Sequence, residues 1–432
     1  MLFLHNIKIN TIAAIALSFA ASTFATNPPN SNDAINALGS DTIEITPTIS
    51  INDSMDLYQH DFMFDSLIND FYIQQNFRPD CSLLDTGAFV FYPDSVYISR
   101  LQSLPHIMEM TYNSIVKSYI EMYARRQKQV GMMLGIGKTY YFPLFEQSLD
   151  RYGVPLELCY LPVIESALNA RATSHVGAAG LWQFMVGTGR IYGLEVNSLV
   201  DERRDPIKAS DAAARYLADL YKLYGDWHLV IAAYNCGPGN VAKAIRHSGG
   251  KRNYWQIYPY LPRETRSYVP IFIAANYIMN FYKEHNICPT EPVRQLVTDT
   301  LMITDRVHLR QIADVAGLPL DQLQFLNPQY RYNIIPGDIK PYPLVLPLDN
   351  INIYAECRDT ILHYMPELST RQVKADPDGY SATGDVKYYK VKSGDTLGSI
   401  ASRHSCTVKQ LQKWNNLKGT TIRIGQRLRI YK

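Results

Sequence analysis

The sequence has almost no net charge: 42 Lys and Arg against 40 Asp and Glu leave +2 over 432 residues. Nucleic-acid binders and wholly disordered chains usually carry a large one-sided charge, so neither class fits the chain as a whole. Long apolar runs are lacking too. The one candidate, Ile12 to Phe19, is shorter than the ~20 residues that span a bilayer. There is no glycine-rich phosphate loop and no Cys/His spacing of a metal site, so no nucleotide, metal or other cofactor is expected. Asp376-Pro377-Asp378-Gly379 has too few ligands for a calcium loop and reads as a turn. Cysteines are few and scattered: Cys81, Cys159, Cys236, Cys288, Cys357 and Cys406. Their spacing suits neither a zinc site nor a small stapled scaffold, and a chain this long does not need bridges to hold a core. A Cys159–Cys236 bridge and buried free thiols both remain open.

The near-neutrality hides a gradient. Residues 26–86 hold ten acids and one base, whereas residues 387–432 hold eleven bases and one acid. Residues 1–25 read as a secretory signal: Lys8, the apolar run, then small residues with cleavage after Ala20 or Ala25. An exported protein of the periplasm or cell envelope is expected. No cysteine near the cleavage region supports a lipid anchor. Residues 26–86, rich in Asn, Asp and Ser, are expected to form an acidic, partly disordered arm, with short packed segments near 57–71. Apolar periodicity of helical type then runs through residues 87–285, broken at Gly153-Val154-Pro155 and Gly237-Pro238-Gly239. This block is expected to be all-helical. Residues 366–386, rich in Pro, Asp, Gly and Ser, read as a linker.

The last third contains a repeat. At a constant separation of 88 residues, Leu309/Leu397, Ile312/Ile400, Ala313/Ala401, Leu323/Leu411, Asn327/Asn415, Ile334/Ile422 and Gly337/Gly425 are identical. Two copies of one small α+β module, at 300–348 and 387–432, are therefore expected, each a strand, two short helices and a strand. In the second copy Tyr388–Lys392 reads as a strand, Gly394-Asp395-Thr396 turns into a helix over Leu397–Arg403, Thr407 caps the next, and Arg427–Tyr431 closes the module. This copy closely resembles the LysM module. The resemblance implies a βααβ fold that binds N-acetylglucosamine-containing glycans, with Gly394, Asp395, Thr396, Leu397, Asn415 and Ile422 as candidate glycan contacts. In the first copy Arg306-Val307-His308 replaces the Gly-Asp-Thr turn, so that copy reads as degenerate.

The segment richest in chemistry is Leu161-Pro162-Val163-Ile164-Glu165-Ser166. On a helix, Leu158, Leu161, Glu165 and Leu168 share one apolar stripe. A carboxyl group there is desolvated, which favours its neutral form and equips it to donate a proton near neutral pH. The plainer alternative is a Glu at the edge of the stripe that reaches solvent or pairs with an Arg. Farther on, Ser174 to Met185 packs small residues into a turn before a helix, and Gln183 offers an amide beside Trp182 and Met185, a surface suited to a sugar. The run Trp227 to Tyr234 ends at Asn235-Cys236-Gly237-Pro238-Gly239, leaving Tyr234 and Asn235 at its exposed end.

Each piece alone is weak. In order, with Asp201-Glu202-Arg203-Arg204-Asp205-Pro206 and Glu264-Thr265-Arg266-Ser267-Tyr268-Val269-Pro270, they resemble the lytic transglycosylases of the soluble and membrane-bound D type. That resemblance spans about residues 152–282 and implies a mainly α, lysozyme-like catalytic domain of the goose-type or soluble lytic transglycosylase kind, with its core at about 143–283, followed by the LysM modules. It also implies that Glu165 is the single catalytic acid/base. Ser174, Gln183, Tyr234 and Asn235 would orient the sugar and its N-acetyl group, with Tyr268 a further candidate at the site. Peptidoglycan strands are then the partner, association with cell-envelope proteins is open, and so is the oligomeric state. The sequence departs from the pattern in lacking a lipobox cysteine and in carrying Cys236 where Ala is frequent. Asp201 and Asp205 leave two readings: a second catalytic carboxylate across the cleft, or a cap on the helix beginning near Pro206 neutralised by Arg203 and Arg204. A goose-type muramidase and a non-catalytic glycan binder are the competing functions.

Overall fold

The computed structural model describes residues 77–79, 89–292, 297–364 and 386–431, apart from 393, 405, 416, 418 and 424. The leader, nearly all of the acidic arm and most of the linker lie outside the described residues. The exception in the arm is the strand Phe77–Pro79, which pairs antiparallel with Thr290–Pro292.

Residues 94–280 form a helical domain whose helices include Ser114–Arg125 (α1), Phe142–Arg151 (α2), Leu161–Ser166 (α3), Pro206–Tyr224 (α4), Trp227–Cys236 (α5) and Arg263–Asn280 (α6). Local chemistry sets their ends. Asn113 caps α1 by accepting from the amides of Ile115 and Val116, and Asp205 caps α4 by accepting from those of Ile207 and Lys208, with Pro206 in the first turn. Gly225, in the left-handed region at φ 66°, stops α4, and Asp226 caps α5. In α5 every residue from Trp227 to Ala233 is buried, the mark of a helix enclosed on all sides. Helix α4 offers it a stripe of small residues, Ala209, Ala212 and Ala213, continued by Leu217 and Leu220.

Helix α6 packs along α1 and α5 and carries Pro270 in its interior. A proline there removes the hydrogen bond to the carbonyl four residues earlier, that of Arg266. The vacancy is filled: Tyr254, fully buried, donates its hydroxyl to the Arg266 carbonyl at 2.6 Å. The continuity of α6 around Tyr268 therefore depends on a side chain from another element. Cys159, Cys236, Cys357 and Cys406 are free thiols, so no Cys159–Cys236 bridge forms, while Cys288 is disulfide-bonded.

The two repeat copies fold as small α+β units. In the first, Thr298–Ile303 pairs antiparallel with Tyr342–Pro347 and Arg306–His308 with Ile334–Pro336, around the helices Leu309–Ala316 and Leu320–Leu326. Its core continues past residue 348, because Tyr354 and Ile361 of two further short helices join it. In the second, Val386–Lys390 pairs with Arg427–Tyr431 around Leu397–Arg403 and Val408–Trp414. The opening strand thus starts and stops two residues earlier than the sequence pattern predicts. Thr407 does cap the second helix, reciprocally with Gln410.

The repeated residues have matching jobs. Leu309, Ile312, Ala313 and Leu323 are buried in one core, and Leu397, Ile400, Ala401 and Leu411 in the other. The Asn327 amide donates to the carbonyls of Leu323 and Val345 and accepts from the Val345 amide; Asn415 does the same with Leu411 and Arg429. Each asparagine staples a helix end to the closing strand. Where the first copy lacks the Gly-Asp-Thr turn, the His308 ring accepts from the Arg310 amide and caps the helix instead.

The staple predicts that Asn415→Ala destabilises the second copy by about 1–3 kcal/mol, since it leaves both backbone groups of Arg429 without this partner. Hydrogen exchange on the full chain reads this as lost amide protection confined to residues 386–431. Unchanged protection there contradicts the assignment.

Candidate active site

The segment carrying Glu165 is not the continuous helix its apolar stripe suggests. Leu156–Tyr160 is a 3-10 turn, α3 follows with Pro162 in its first turn, and Ala167 and Leu168 then take left-handed conformations at φ 49° and 60°. Leu158, Leu161 and Leu168 are all fully buried, as the stripe requires, but an abrupt stop sets the last of them inward. Two consecutive non-glycine residues in this region are unusual and are held by surrounding structure. Part of that structure is Ser166, whose buried hydroxyl bonds to the carbonyls of Pro162 and Leu181 and so ties α3 to the loop that follows.

Glu165 lies one residue before this anchor and is partly buried. Its carboxyl pKa is raised to about 7; burial pushes it up, and the single opposing influence is the hydroxyl of Tyr268, which donates to Oε1. No Arg or Lys pairs with it among the described residues, so the ion-paired form of the edge-of-stripe alternative is not the one the structure shows. The buried phenol of Tyr268 and the partly buried one of Tyr234 are held well above their usual pKa, first by burial and next by the nearby Glu165 charge. The structure therefore brings Glu165, Tyr234 and Tyr268 together from α3, α5 and α6.

The loop of residues 174–184 supplies the next wall. The Ser174 hydroxyl accepts from the Ala178 amide, Gln183 donates its amide to the Gly180 carbonyl at 2.8 Å, and Tyr234 donates to the Trp182 carbonyl at 2.7 Å. Gln183 itself sits at φ 47°. Only glycine fits at 180, since a Cβ there would lie 1.8 Å from the Arg203 carbonyl oxygen. One sequence expectation changes: Trp182 is not a sugar-facing surface. It is fully buried, donates its indole N–H to Ser210 and meets Phe145 edge-on. Met185, 45% exposed, remains accessible beside Gln183. Asn235 is exposed at the end of α5, and its Oδ1 accepts from Thr265 at 2.8 Å.

The acidic cluster divides. Asp205 is the helix cap and Asp201 is not. Asp201 is fully buried. Burial opposes its charge, yet its bonds to Arg203 and the charges of Arg331 and Arg204 hold its pKa below the ordinary value. Arg203 grips it with two nitrogens at 2.8 Å, and Arg331 of the first module adds a third contact at 2.8 Å. Arg203 also donates to the carbonyls of Gly177 and Phe184. Through Asp201, this guanidinium therefore connects Arg331 of the module to the loop bearing Ser174 and Gln183. Neither aspartate is available as a second catalytic carboxylate. Around the same seam, Glu195 accepts from Lys340 and Tyr342, and Leu199 and Val200 are buried in the core of the first module.

Three of the six candidate glycan contacts in the second module have structural roles. The Asp395 carboxylate accepts from the Lys392 amide and the Tyr389 hydroxyl and pairs with Arg403. Leu397 is in the core, and Asn415 is the staple. Thr396 bonds reciprocally with Ser399 at the helix start, Gly394 turns the chain at φ 84°, and Ile422 is half-covered at the edge of the core. The sequence reading also missed Ser166, Thr265 and Arg331. Ser166 adjoins the glutamate and carried a signal in its position, whereas Arg331, 130 residues from Asp201, carried none. Among the described residues no group of three or more His, Cys, Asp or Glu is placed to hold a metal.

Three segments match families of known proteins: residues 143–257 the Transglycosylase SLT domain, 297–363 the LysM-like domain of the lytic transglycosylase MltD, and 389–430 the LysM domain. The membrane-bound lytic murein transglycosylase D of Escherichia coli strain K12 is 32% identical over 333 residues, 75% of this chain and 70% of that protein. A putative tributyltin chloride resistance protein of Alteromonas sp. strain M-1 is 37% identical over 106 residues, 24% of this chain and 51% of that protein. The solved 70 kDa soluble lytic transglycosylase of Escherichia coli shares 23% identity, with 43% of this chain and 34% of that chain covered at a TM-score of 0.30. Glu165, the 174–184 loop and the Tyr234-Asn235 pair all fall inside the matched catalytic segment. The chain belongs to the membrane-bound lytic murein transglycosylase D family.

Proposed function

We propose that Glu165 acts alone as acid and then base in cleaving the β-1,4 bond between N-acetylmuramic acid and N-acetylglucosamine of peptidoglycan. The observation that carries this is a carboxyl group with its pKa raised to about 7 by burial, one hydroxyl donor beside it and, among the described residues, no second carboxylate acting on it. Hydrolytic glycosidases ordinarily need two carboxylates. With one, the substrate has to supply the nucleophile. The protonated Glu165 donates to the glycosidic oxygen as the C1–O bond breaks. Its carboxylate then takes the proton of the muramyl C6 hydroxyl as that oxygen bonds to C1, which leaves a 1,6-anhydro end, consumes no water and restores the acid.

Each remaining group has a part in this scheme. Tyr268, donating to Oε1, stabilises the carboxylate midway through the cycle. Asn235, Gln183 and Ser174 present polar groups for the sugar and its N-acetyl group, with Tyr234 fixing the loop through the Trp182 carbonyl. We also infer that residues 1–25 direct export to the periplasm or cell envelope. No described helix is long and apolar enough to cross a membrane. The second LysM module, with Gly394, Thr396 and Ile422 as its remaining candidate contacts, retains the enzyme on its polymer.

Mass spectrometry of digested peptidoglycan is expected to show 1,6-anhydromuramyl ends; reducing muramic acid ends identify a muramidase instead. Glu165→Gln should lower lysis by at least about 10²-fold while sedimentation with peptidoglycan persists. Undiminished lysis overturns the site. Tyr268→Phe removes the influence that lowers the Glu165 pKa among the described residues, so that pKa rises further. Since the protonated acid starts the reaction, the alkaline limb of the kcat/KM profile then moves to higher pH. At its optimum the variant loses about ten- to a hundredfold in kcat, the effect of one hydrogen bond to a charged group. An alkaline limb that stays in place or moves down contradicts the pairing.

A further inference from the structure

We propose that a basic pocket between the catalytic domain and the first LysM-like module is a subsite for the carboxylates of peptidoglycan stem peptides. The cavity holds about 280 Å³ and is lined by Arg171 and Arg204 on one side and by Gln324, Arg331, Tyr332 and Asn333 on the other. The catalytic domain supplies two of the three arginines and the module supplies the third.

Three observations point to an anionic ligand. The first is charge. Among the described residues Asp201 is the only carboxylate paired with Arg204 and Arg331; it is fully buried and occupied by Arg203 and Arg331, with Arg204 at 3.9 Å. The pocket surface is therefore left positive. Burial lowers the pKa of Arg204, and the neighbouring Arg331, Arg203 and Arg171 lower it further, against Asp201 alone. The second is unmet bonding capacity: the Nε atoms of Arg204 and Arg331 are buried without a hydrogen-bond partner, and the side chain of Arg171 is exposed with no ion pair among the described residues. The third is backbone strain. Tyr332 and Asn333 are consecutive non-glycine residues at φ 57° and 59°, a conformation that costs free energy and holds the Tyr332 ring 61% exposed at the rim.

The substrate names the anion. The hydroxyl and N-acetyl groups of a peptidoglycan strand are neutral, and its carboxylates are carried mainly by the stem peptides. Guanidinium groups suit such carboxylates because they bind them in a planar, two-pronged fashion. The volume suits the end of a short peptide, and the Tyr332 ring offers an apolar edge to its side chains. Arg204 also donates to the Thr173 hydroxyl, next to Ser174, so the pocket adjoins the loop that lines the cleft. A strand held at Glu165 then has its peptides read by the module, which explains why this degenerate copy is fused to the catalytic domain.

The inference rests on the peptidoglycan reading of the Glu165 site, and its test separates the two. Full-length Glu165→Gln protein, chosen to suppress turnover, is titrated calorimetrically with a synthetic N-acetylated stem tetrapeptide and with the same peptide fully amidated. The free acid should bind, more weakly as salt rises, and the amidated peptide at least about tenfold more weakly. Adding Arg171→Gln, an exposed change, should weaken free-acid binding by about three- to tenfold. In the active enzyme, Arg171→Gln should narrow the difference in KM between peptide-bearing strands and strands stripped of peptide. Equal binding of acid and amide, or no effect of Arg171→Gln, overturns the subsite. Binding of stripped strands alone, through their lactyl carboxylates, overturns the stem-peptide assignment. Lysis by Glu165→Gln would instead overturn the catalytic assignment.

Discussion

A partly buried carboxyl group, shielded from much of the surrounding water, governs this protein. This shielding raises the Glu165 pKa to about 7 and equips the group to act as an acid at neutral pH, and much of the catalytic domain serves to maintain that condition. Leu158, Leu161 and Leu168 pack around the short helix that carries it, and the left-handed pair Ala167-Leu168 ends that helix immediately after Ser166 anchors it. Among the described residues Tyr268 offers the only hydrogen bond to the group, and it comes from a helix whose internal proline is accommodated by Tyr254. A longer helix at 161–166, or a break in α6 at Pro270, would disturb the same carboxyl from two directions.

A second constraint lies at the seam between domains. Asp201 is a buried charge stabilised by Arg203 and Arg331, and removal of one partner from such a pair typically costs about 3–5 kcal/mol. Because Arg203 also holds the carbonyls of Gly177 and Phe184, the free energy that fixes the first module also fixes the loop of residues 174–184. The first module is thus a structural part of the catalytic unit, and the second is a separate small core with its own staple.

Much of this architecture was legible in the sequence because local rules set it. The 88-residue repeat exposed both modules, Asp205-Pro206 and Thr407 marked helix starts, and the ordered motifs placed Glu165, Ser174, Gln183, Tyr234, Asn235 and Tyr268 in one domain. What stayed hidden depended on distant residues. The stripe through Leu158, Leu161 and Leu168 correctly indicated burial but not the 3-10 turn or the left-handed stop, which tertiary packing imposes. Asn415 and Asp395 looked like sugar contacts because a polar side chain in a glycan-binding motif invites that reading, whereas their bonds are internal. Trp182 misled in the same way. The partner of Asp201 in the first module could not be read from spacing, since nothing local relates residue 201 to residue 331.

Catalysis by a single acid requires one side chain, Glu165, to be protonated at neutral pH. Difference infrared titration of the full-length protein against Glu165→Gln isolates the carboxyl stretch of this residue. A midpoint near pH 7, higher in Tyr268→Phe, is the predicted result. A midpoint in the ordinary glutamate range near 4.3 would show the carboxyl to be solvated and already ionised at neutral pH, and would contradict its role as the single acid.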